Sequence, residues 1–475
     1  MKILVFSALL LAAPCAYAAG IDNTIKRLAA APGVANASWG LSVKDLAGKT
    51  VAQRNPRLNL TPASILKVIV TAAALEKFGP EKIFKTGLYY DGSISNGFLN
   101  GNLYIRGGGD PSLGSQLIVG ARPLEEVFSD WTAALKAAGV RVINGAVVGD
   151  DSAFESWQPG SWAWEDIGNY YAAQASALTV NDGAYRIFFK PSEEVGGAAS
   201  LLRTEPVVEG LEFENQMLTG EKGSGDNGYV YAFPGQRRAV LRGTIPQGSP
   251  EFAIKAALPD PALFAAQSFG AYLTRAGINA NKKPFRGSPA KEGRLTLVTE
   301  TVSRPLKDVV RVTNKRSFNL YAELLLRHLG NGSPVSGAAS IKALPAAAGS
   351  DVSELKLADA CGLSWRNMTK AETFTDLLRF VHGRKYFPEF YDSLIYPGDP
   401  DATGHARNLG KGTPLEKALR LKSGSLNGVR AYTGYLKTKK GKTLVFTSIL
   451  NNYSMNGGAA DKMHEELLLA LYNSY

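Results

Sequence analysis

A serine and a lysine three positions apart can act as a nucleophile and its base when a helix places both side chains on one face. The pattern Ser-x-x-Lys occurs three times, at Ser64/Lys67, Ser288/Lys291 and Ser353/Lys356. Ser288 precedes a proline in a polar stretch. Ser353 lies in an alternating, strand-like segment, in which residues three apart face opposite sides. Only Ser64 and Lys67 fall in the first turn of a predicted helix.

The helix predicted from Ser64 to Phe78 is apolar around nearly its whole circumference, which is typical of a buried helix. Burial lowers the pKa of a lysine, and a neutral amine beside a hydroxyl is what a serine nucleophile needs as its base. From these residues alone an alternative stays open, in which Ser64 caps the helix and Lys67 extends its amine to solvent.

Two further patterns carry chemistry later in the chain. Ser317 and Asn319 form a Ser-x-Asn string at the start of the next clear helix, although the same string recurs at residues 425–427 and 454–456. Lys422-Ser423-Gly424 ends a predicted strand, where a lysine and a small hydroxyl can hold a carboxylate and the glycine lets a substrate approach the backbone. Residues 85–87 (KTG) fit this pattern as a string, but they precede the Ser-x-Asn helix.

The elements that must position these residues are predicted at both ends of the chain. A strand pair over residues 37–55 precedes the Ser64 helix, and strands at 418–422, 429–436 and 443–450 precede a final helix at 459–472. Helices are also expected at 317–329 and near 373–382. Residues 84–289 are rich in strand and turn patterns. One α/β domain built from both chain ends, interrupted by an insertion of about 200 residues, accounts for this order.

Composition and the first residues limit the surroundings of the protein. The chain is 45% hydrophobic and 20% charged, which excludes a largely disordered protein. Residues 1–18, with Lys2, an apolar run and a small-x-small end, are predicted to be a cleaved secretory signal peptide. The formal net charge of +11 suits an anionic envelope polymer better than nucleic acid in an exported protein. No other stretch is long and apolar enough to suggest a transmembrane segment.

The order of the three patterns is the active-site signature of penicillin-binding proteins and serine β-lactamases. The chain resembles one branch over nearly all of its mature length, the low-molecular-mass class C penicillin-binding proteins, which are D-alanyl-D-alanine carboxypeptidase/endopeptidases. The stretches that carry this resemblance are residues 62–64 (PAS), 103–113 (LYIRGGGDPSL), 149–154 (GDDSAF), 173–181 (AQASALTVN), 314–323 (NKRSFNLYAE) and 421–424 (LKSG).

The resemblance implies an α/β fold with a serine β-lactamase/transpeptidase-like catalytic domain, an antiparallel sheet flanked by helices, and two strand-rich inserted domains. Ser64 and Ser317 are 253 positions apart, which leaves room for the insertions. The expected division is residues 19–84 and 290–475 for the catalytic domain, 85–108 and 186–289 for one inserted domain, and 109–185 for a second domain nested in the first.

The resemblance also assigns roles. Ser64 is the expected nucleophile and Lys67 its base, Ser317 and Lys422 relay a proton to the leaving amine, and Asn319 positions the Lys67 amine or the substrate amide. Ser423, Gly424 and Ser425 are the expected substrate-binding residues, with the backbone N–H groups of Ser64 and Ser425 as the oxyanion hole. No cofactor and no metal are expected, because the four histidines lack metal-ligand spacing.

The implied protein is a periplasmic hydrolase that acts on peptidoglycan stem peptides and is acylated by β-lactam antibiotics. It has no nucleic-acid partner and no transmembrane segment, while peripheral contact with the envelope stays open. Two alternatives also stay open: a β-lactamase or esterase on the same scaffold, and a non-catalytic cell-wall binding protein. One departure from the family pattern lies at residues 359–366 (DACGLSWR), where Arg366 is displaced by one position and its role as a substrate contact is in doubt.

Overall fold

A computed structural model of the chain describes residues 13–156, 158–289 and 294–475. Most of the predicted signal peptide, residues 1–12, lies outside the described residues. The described chain opens with a helix, Ala13–Ala29, so the predicted cleavage point before Ala19 falls within that helix. In the described part of the chain, no helix has the length and apolar character needed to cross a membrane.

The described residues form ten α-helices and twenty strands. The helices are α1 (Ala13–Ala29), α2 (Leu66–Phe78), α3 (Leu124–Ala137), α4 (Pro261–Arg275), α5 (Leu306–Lys315), α6 (Asn319–Leu329), α7 (Pro334–Ala347), α8 (Ala371–His382), α9 (Phe387–Asp392) and α10 (Gly457–Ser474). The strands are β1 (Ser38–Asp45), β2 (Thr50–Arg54), β3 (Lys85–Tyr90), β4 (Ser93–Ser95), β5 (Phe98–Asn100), β6 (Leu103–Arg106), β7 (Val142–Ile143), β8 (Val147–Asp150), β9 (Ala184–Lys190), β10 (Ser200–Glu205), β11 (Glu212–Gly220), β12 (Asn227–Tyr231), β13 (Arg238–Pro246), β14 (Phe252–Ala257), β15 (Asn279–Ala280), β16 (Phe285–Arg286), β17 (Thr296–Val302), β18 (Leu419–Leu426), β19 (Val429–Lys437) and β20 (Thr443–Asn451).

The chain divides into two compact units. The first contains the described residues up to Lys77, Thr313–Ser317 and Ala339–Tyr475, and the second contains Phe78–Val312 and Phe318–Ala338. The division of the middle of the chain into two inserted domains stays a prediction.

The first unit is built on a five-stranded antiparallel sheet in the order β18-β19-β20-β1-β2. Strands β19 and β20 are buried along almost their whole length because helices cover both faces of the sheet. On one face, Ser42 of β1 hydrogen-bonds Thr375 of α8 (2.8 Å between the two hydroxyls). On the other face, Leu41 and Val43 belong to a core shared with α1 and α10. Strand β18 lies at one edge of this sheet.

The second unit contains four further sheets of three to five strands, in the orders β16-β8-β6-β3-β17, β15-β7-β5-β4, β10-β9-β14 and β11-β13-β12. Its main core gathers residues from most of these sheets and from α3 and α4. The prediction of a strand-rich middle region is therefore correct but incomplete, because α3 and α4 were not predicted. The start of α4 is fixed by Asp260, whose carboxylate accepts a hydrogen bond from the backbone N–H of Leu263, and by Pro261 at the first helical position.

Candidate active site

The hydroxyl of Ser64 lies in a short 3-10 turn, Ala63–Ile65, that leads directly into α2. Ala63 adopts a positive φ of 49°, an uncommon conformation for a residue with a side chain. The Nζ of Lys67 donates a hydrogen bond to the Oγ of Ser64 (2.9 Å). The same Oγ donates to the backbone carbonyl of Cys361 (3.4 Å), so the hydroxyl of Ser64 is directed at this carbonyl and at the lysine.

Lys67 is fully buried, with 0% of its surface exposed, so its amine does not reach solvent as the alternative interpretation required. The Nζ also donates to the backbone carbonyl of Cys361 (2.5 Å). Burial away from water penalises the charged form of a lysine. The hydroxyl of Ser64 therefore lies within hydrogen-bonding distance of a fully buried amine.

The carbonyl that receives Lys67 belongs to a loop held by Asp359. The buried carboxylate of Asp359 accepts hydrogen bonds from the backbone N–H groups of Gly362 (2.8 Å) and Ser364 (2.6 Å) and from the amide of Asn367 (2.7 Å). Gly362 packs so closely on the turn of Ser64 that an added Cβ would lie 2.0 Å from the carbonyl oxygen of Ala63. Sequence reasoning missed the role of the Cys361 carbonyl, since a backbone group has no residue-type signal. Arg366, whose role was in doubt, is exposed.

A second serine–lysine pair joins Ser317 to the edge strand. The Nζ of Lys422 donates to the Oγ of Ser317 (2.9 Å) and to the carbonyl of Ser423 (2.7 Å). Lys422 is fully buried. Burial first, and then the nearby positive charge of Lys67, hold the pKa of Lys422 well below its usual range. Because the charge of one lysine affects the pKa of the other, the two amines are close enough to influence each other.

The segment before Ser317 is anchored from two sides. The amide of Asn314 donates to Thr71 of α2 (3.2 Å) and to the hydroxyl of Ser393 (2.8 Å). Lys315 makes a buried ion pair with Asp399 (2.9 Å). Ser317 itself has a positive φ of 53° between α5 and α6. These contacts fix the serine opposite Lys422, which explains why a strained backbone conformation is tolerated there.

Strand β18 passes against the turn of Ser64 at Gly424. An added Cβ at Gly424 would lie 2.6 Å from the carbonyl oxygen of Pro62 and 3.0 Å from the backbone nitrogen of Ser64. Only a glycine permits this approach. The next residue, Ser425, is exposed, while Ser423 is buried and on the same face of the strand. The predicted substrate-binding residues therefore lie beside the predicted nucleophile.

The structure brings Ser64, Lys67, Ser317, Lys422, Ser423, Gly424 and Ser425 together within the first unit. Asn319 belongs to the second unit, where it is the first residue of α6 and its amide donates to the carbonyl of Tyr171 (2.7 Å). Ser288, the first of the two competing serines, belongs to the second unit. Ser353 is exposed, and its backbone N–H donates a hydrogen bond to the carboxylate of Asp351. Lys291, the lysine of the string that begins at Ser288, lies outside the described residues.

An antiparallel sheet covered by helices, with a serine and a buried lysine at the start of one helix and a second serine–lysine pair at the edge strand, defines the serine β-lactamase/transpeptidase-like class. The chain belongs to the D-Ala-D-Ala carboxypeptidase 3 (S13) family, whose sequence model matches residues 21–471. This membership confirms the predicted family and the predicted activity class, a serine-type D-Ala-D-Ala carboxypeptidase.

Individual relatives agree with this assignment. The chain is 27% identical over 446 residues to a D-alanyl-D-alanine carboxypeptidase of Actinomadura sp., a match that covers 89% of this chain and 79% of the relative. It is 25% identical over 414 residues to the D-alanyl-D-alanine carboxypeptidase DacB of Haemophilus influenzae, covering 85% and 83%. The crystal structure of penicillin binding protein 4 from the same organism superposes with a TM-score of 0.79 at 23% identity, over 95% of this chain and 99% of that chain. The predicted fold is thereby confirmed.

Proposed function

We propose that Ser64 is the nucleophile of a carboxypeptidase/endopeptidase that acts on peptidoglycan stem peptides ending in, or cross-linked through, D-alanine. The observation that carries this proposal is the 2.9 Å contact between the Oγ of Ser64 and the Nζ of a fully buried Lys67. The hydroxyl attacks the carbonyl carbon of the penultimate D-alanine, and Lys67 accepts the hydroxyl proton. An Oγ–C bond forms as the carbonyl becomes a tetrahedral oxyanion.

The oxyanion needs donors that are already in place when the charge develops. The backbone N–H groups of Ser64 and Ser425 are the proposed donors, and the tight contact of Gly424 with the Ser64 turn supports this pairing. Collapse of the intermediate breaks the C–N bond. Ser317 and Lys422, joined at 2.9 Å, pass a proton to the leaving amine. Water then hydrolyses the acyl-enzyme, and Asn319 helps to position the Lys67 amine or the substrate amide.

The edge strand supplies the contacts that recognise the end of the substrate. In a carboxypeptidase substrate the leaving D-alanine carries a free carboxylate. Lys422 and the hydroxyls of Ser423 and Ser425 are the proposed ligands of this carboxylate, because charge-assisted hydrogen bonds to a carboxylate are stronger than neutral ones. In an endopeptidase substrate the leaving amine belongs to a neighbouring stem peptide. A periplasmic protein with the predicted signal peptide meets both substrates in the cell wall.

A β-lactam presents a strained carbonyl in the same position and forms an acyl-enzyme through the same serine. When the β-lactam ring opens, the leaving nitrogen stays attached to the acyl group. No fragment departs, and the attacking water therefore does not gain the space that a peptide substrate would vacate. We expect this adduct to be longer-lived than the peptide acyl-enzyme.

The test of this function is the release of D-alanine from a soluble pentapeptide that ends in D-Ala-D-Ala. Ser64→Ala should lower the rate by more than about 10,000-fold, since losing a catalytic nucleophile removes most of the chemistry. Ser353→Ala is the matched control, because Ser353 also begins a Ser-x-x-Lys string but is exposed and outside the site. Full activity of Ser64→Ala, or equal loss in both variants, would refute the assignment.

A further inference from the structure

Arg430 lies directly opposite Ser425 in the antiparallel pair of β18 and β19. Residues paired in this way point to the same face of the sheet. The Nη1 of Arg430 donates a hydrogen bond to the Oγ of Ser425 (2.7 Å). Arg430 is buried with 7% exposure, while Ser425 is exposed. A buried cation therefore supports an accessible hydroxyl of the proposed carboxylate subsite.

The guanidinium is surrounded by residues of its own strand, of α10 and of the short 3-10 turn His405–Asn408. Its Nε lies 2.9 Å from the Oδ1 of Asp461 in α10, and the same oxygen accepts a hydrogen bond from the hydroxyl of Tyr432 (2.6 Å). Its Nη1 lies 3.2 Å from the Nδ1 of His405. Gly457 leaves the necessary space, since an added Cβ there would lie 2.2 Å from Nη2. This arrangement leaves the guanidinium little freedom to turn away from Ser425.

The hydrogen bond from Arg430 determines what Ser425 can offer a substrate. A hydroxyl has one O–H donor and two acceptor lone pairs. Because the arginine occupies an acceptor position of Oγ, the O–H of Ser425 is available to donate, and a carboxylate is an acceptor only. The positive charge behind the hydroxyl also favours an anion over a neutral group. The neighbouring His405 does not oppose it with a second charge, because burial and the arginine lower the pKa of that imidazole to about 3.

We propose that Arg430 is a positioning residue that sets the specificity of this site for substrates with a free C-terminal carboxylate, by orienting the hydroxyl of Ser425 as a donor and adding a fixed positive charge behind it. The inference rests on the proposed function, since it requires the edge strand to hold the end of the substrate.

The experiment compares two substrates of the same peptide sequence, one with a free C-terminal carboxylate and one with a C-terminal amide. Arg430→Gln should lower kcat/KM for the free acid by about 10- to 100-fold, the value of one charge-assisted hydrogen bond. It should change kcat/KM for the amide by less than about threefold, because that substrate does not use the charge. Arg430→Lys should recover part of the loss, since it keeps the charge without the planar fork.

Two further variants keep the test decisive. Gly457→Ala displaces the guanidinium without removing it and should cause the same selective loss, whether or not Arg430→Gln folds well. Arg420→Gln is the control, since Arg420 is a partly buried arginine of the same edge strand whose guanidinium stacks on Tyr396. This variant should leave the ratio of kcat/KM for the free acid to kcat/KM for the amide unchanged. Equal loss on both substrates, or no loss in folded Arg430 and Gly457 variants, would overturn the proposal. If the wild-type protein releases no D-alanine in a Ser64-dependent way, the proposed function itself fails. That outcome is distinct from a failure of the proposal for Arg430, which requires an active wild-type enzyme.

Discussion

Lys67→Met should slow acylation of Ser64 by benzylpenicillin about 100- to 10,000-fold while the protein remains folded. The methionine fills a similar volume in the buried helix but cannot accept the proton of the Ser64 hydroxyl, which Lys67 contacts at 2.9 Å. The cost of burying a polar amine is also removed, so we expect no loss of stability from the apolar replacement. The acylation rate is measured by quenching the reaction at a series of times. A thermal unfolding scan of the same preparation checks that the variant is folded.

Lys77→Met is the control for this experiment, because Lys77 lies in the last turn of the same helix and is exposed. It should acylate at the wild-type rate. Acylation of folded Lys67→Met at a rate within about twofold of the wild-type rate would contradict a general-base role of Lys67, because another group would then have to accept the proton.

Lys422→Met should produce the second large effect, a loss of D-alanine release of about 100-fold or more, since it removes the partner of Ser317 and a proposed ligand of the substrate carboxylate.

The same substitution should alter the dependence of stability on pH. Burial lowers the pKa of Lys422 well below 10.5, so over the interval between the lowered and the ordinary pKa the unfolded chain holds a proton that the folded protein lacks. The free energy of unfolding of the wild type should therefore rise with pH over this interval, and fall as pH decreases through it.

In the variant this contribution disappears. The difference between wild type and Lys422→Met should change by up to about 1.4 kcal/mol per pH unit inside the interval, with the variant gaining in relative stability as pH falls. Urea unfolding at several pH values between 6 and about 10 measures this difference, and Lys437→Met, an exposed lysine at the end of β19, is the control. A difference that is independent of pH would contradict a depressed pKa at Lys422, and undiminished D-alanine release would contradict its role in the site.

The positions of the main site residues were predictable because their order and their secondary structure agree. The 3-10 turn and the start of α2 bring Ser64 and Lys67 together, and Lys422 lies on a strand that follows the Ser317 segment. The KTG string at 85–87 matched the pattern better in letters, yet it lies in β3 of the second unit, where Lys85 pairs with Glu300 (2.8 Å). Context along the chain was therefore more informative than the strings themselves.

Other parts of the site have no signal in a single sequence. The Cys361 carbonyl and the two backbone N–H groups that donate to Asp359 act through backbone geometry, which any residue type can supply. The contact between Arg430 and Ser425 depends on strand register, which is fixed by the pairing of β18 with β19 and not by spacing along the chain. Helices α3 and α4 were missed for a different reason, since the glycine-rich turns around them favoured an interpretation as strands and loops.

The central claim is that Ser64 becomes acylated, and intact-mass analysis of the protein after brief exposure to benzylpenicillin tests it most directly. We expect one added penicilloyl group on the wild type and on Ser353→Ala, and none on Ser64→Ala. The adduct should persist for minutes or longer, whereas decay within seconds would identify a β-lactamase on this scaffold. An adduct of equal yield on folded Ser64→Ala, or no adduct on folded wild type, would contradict the account.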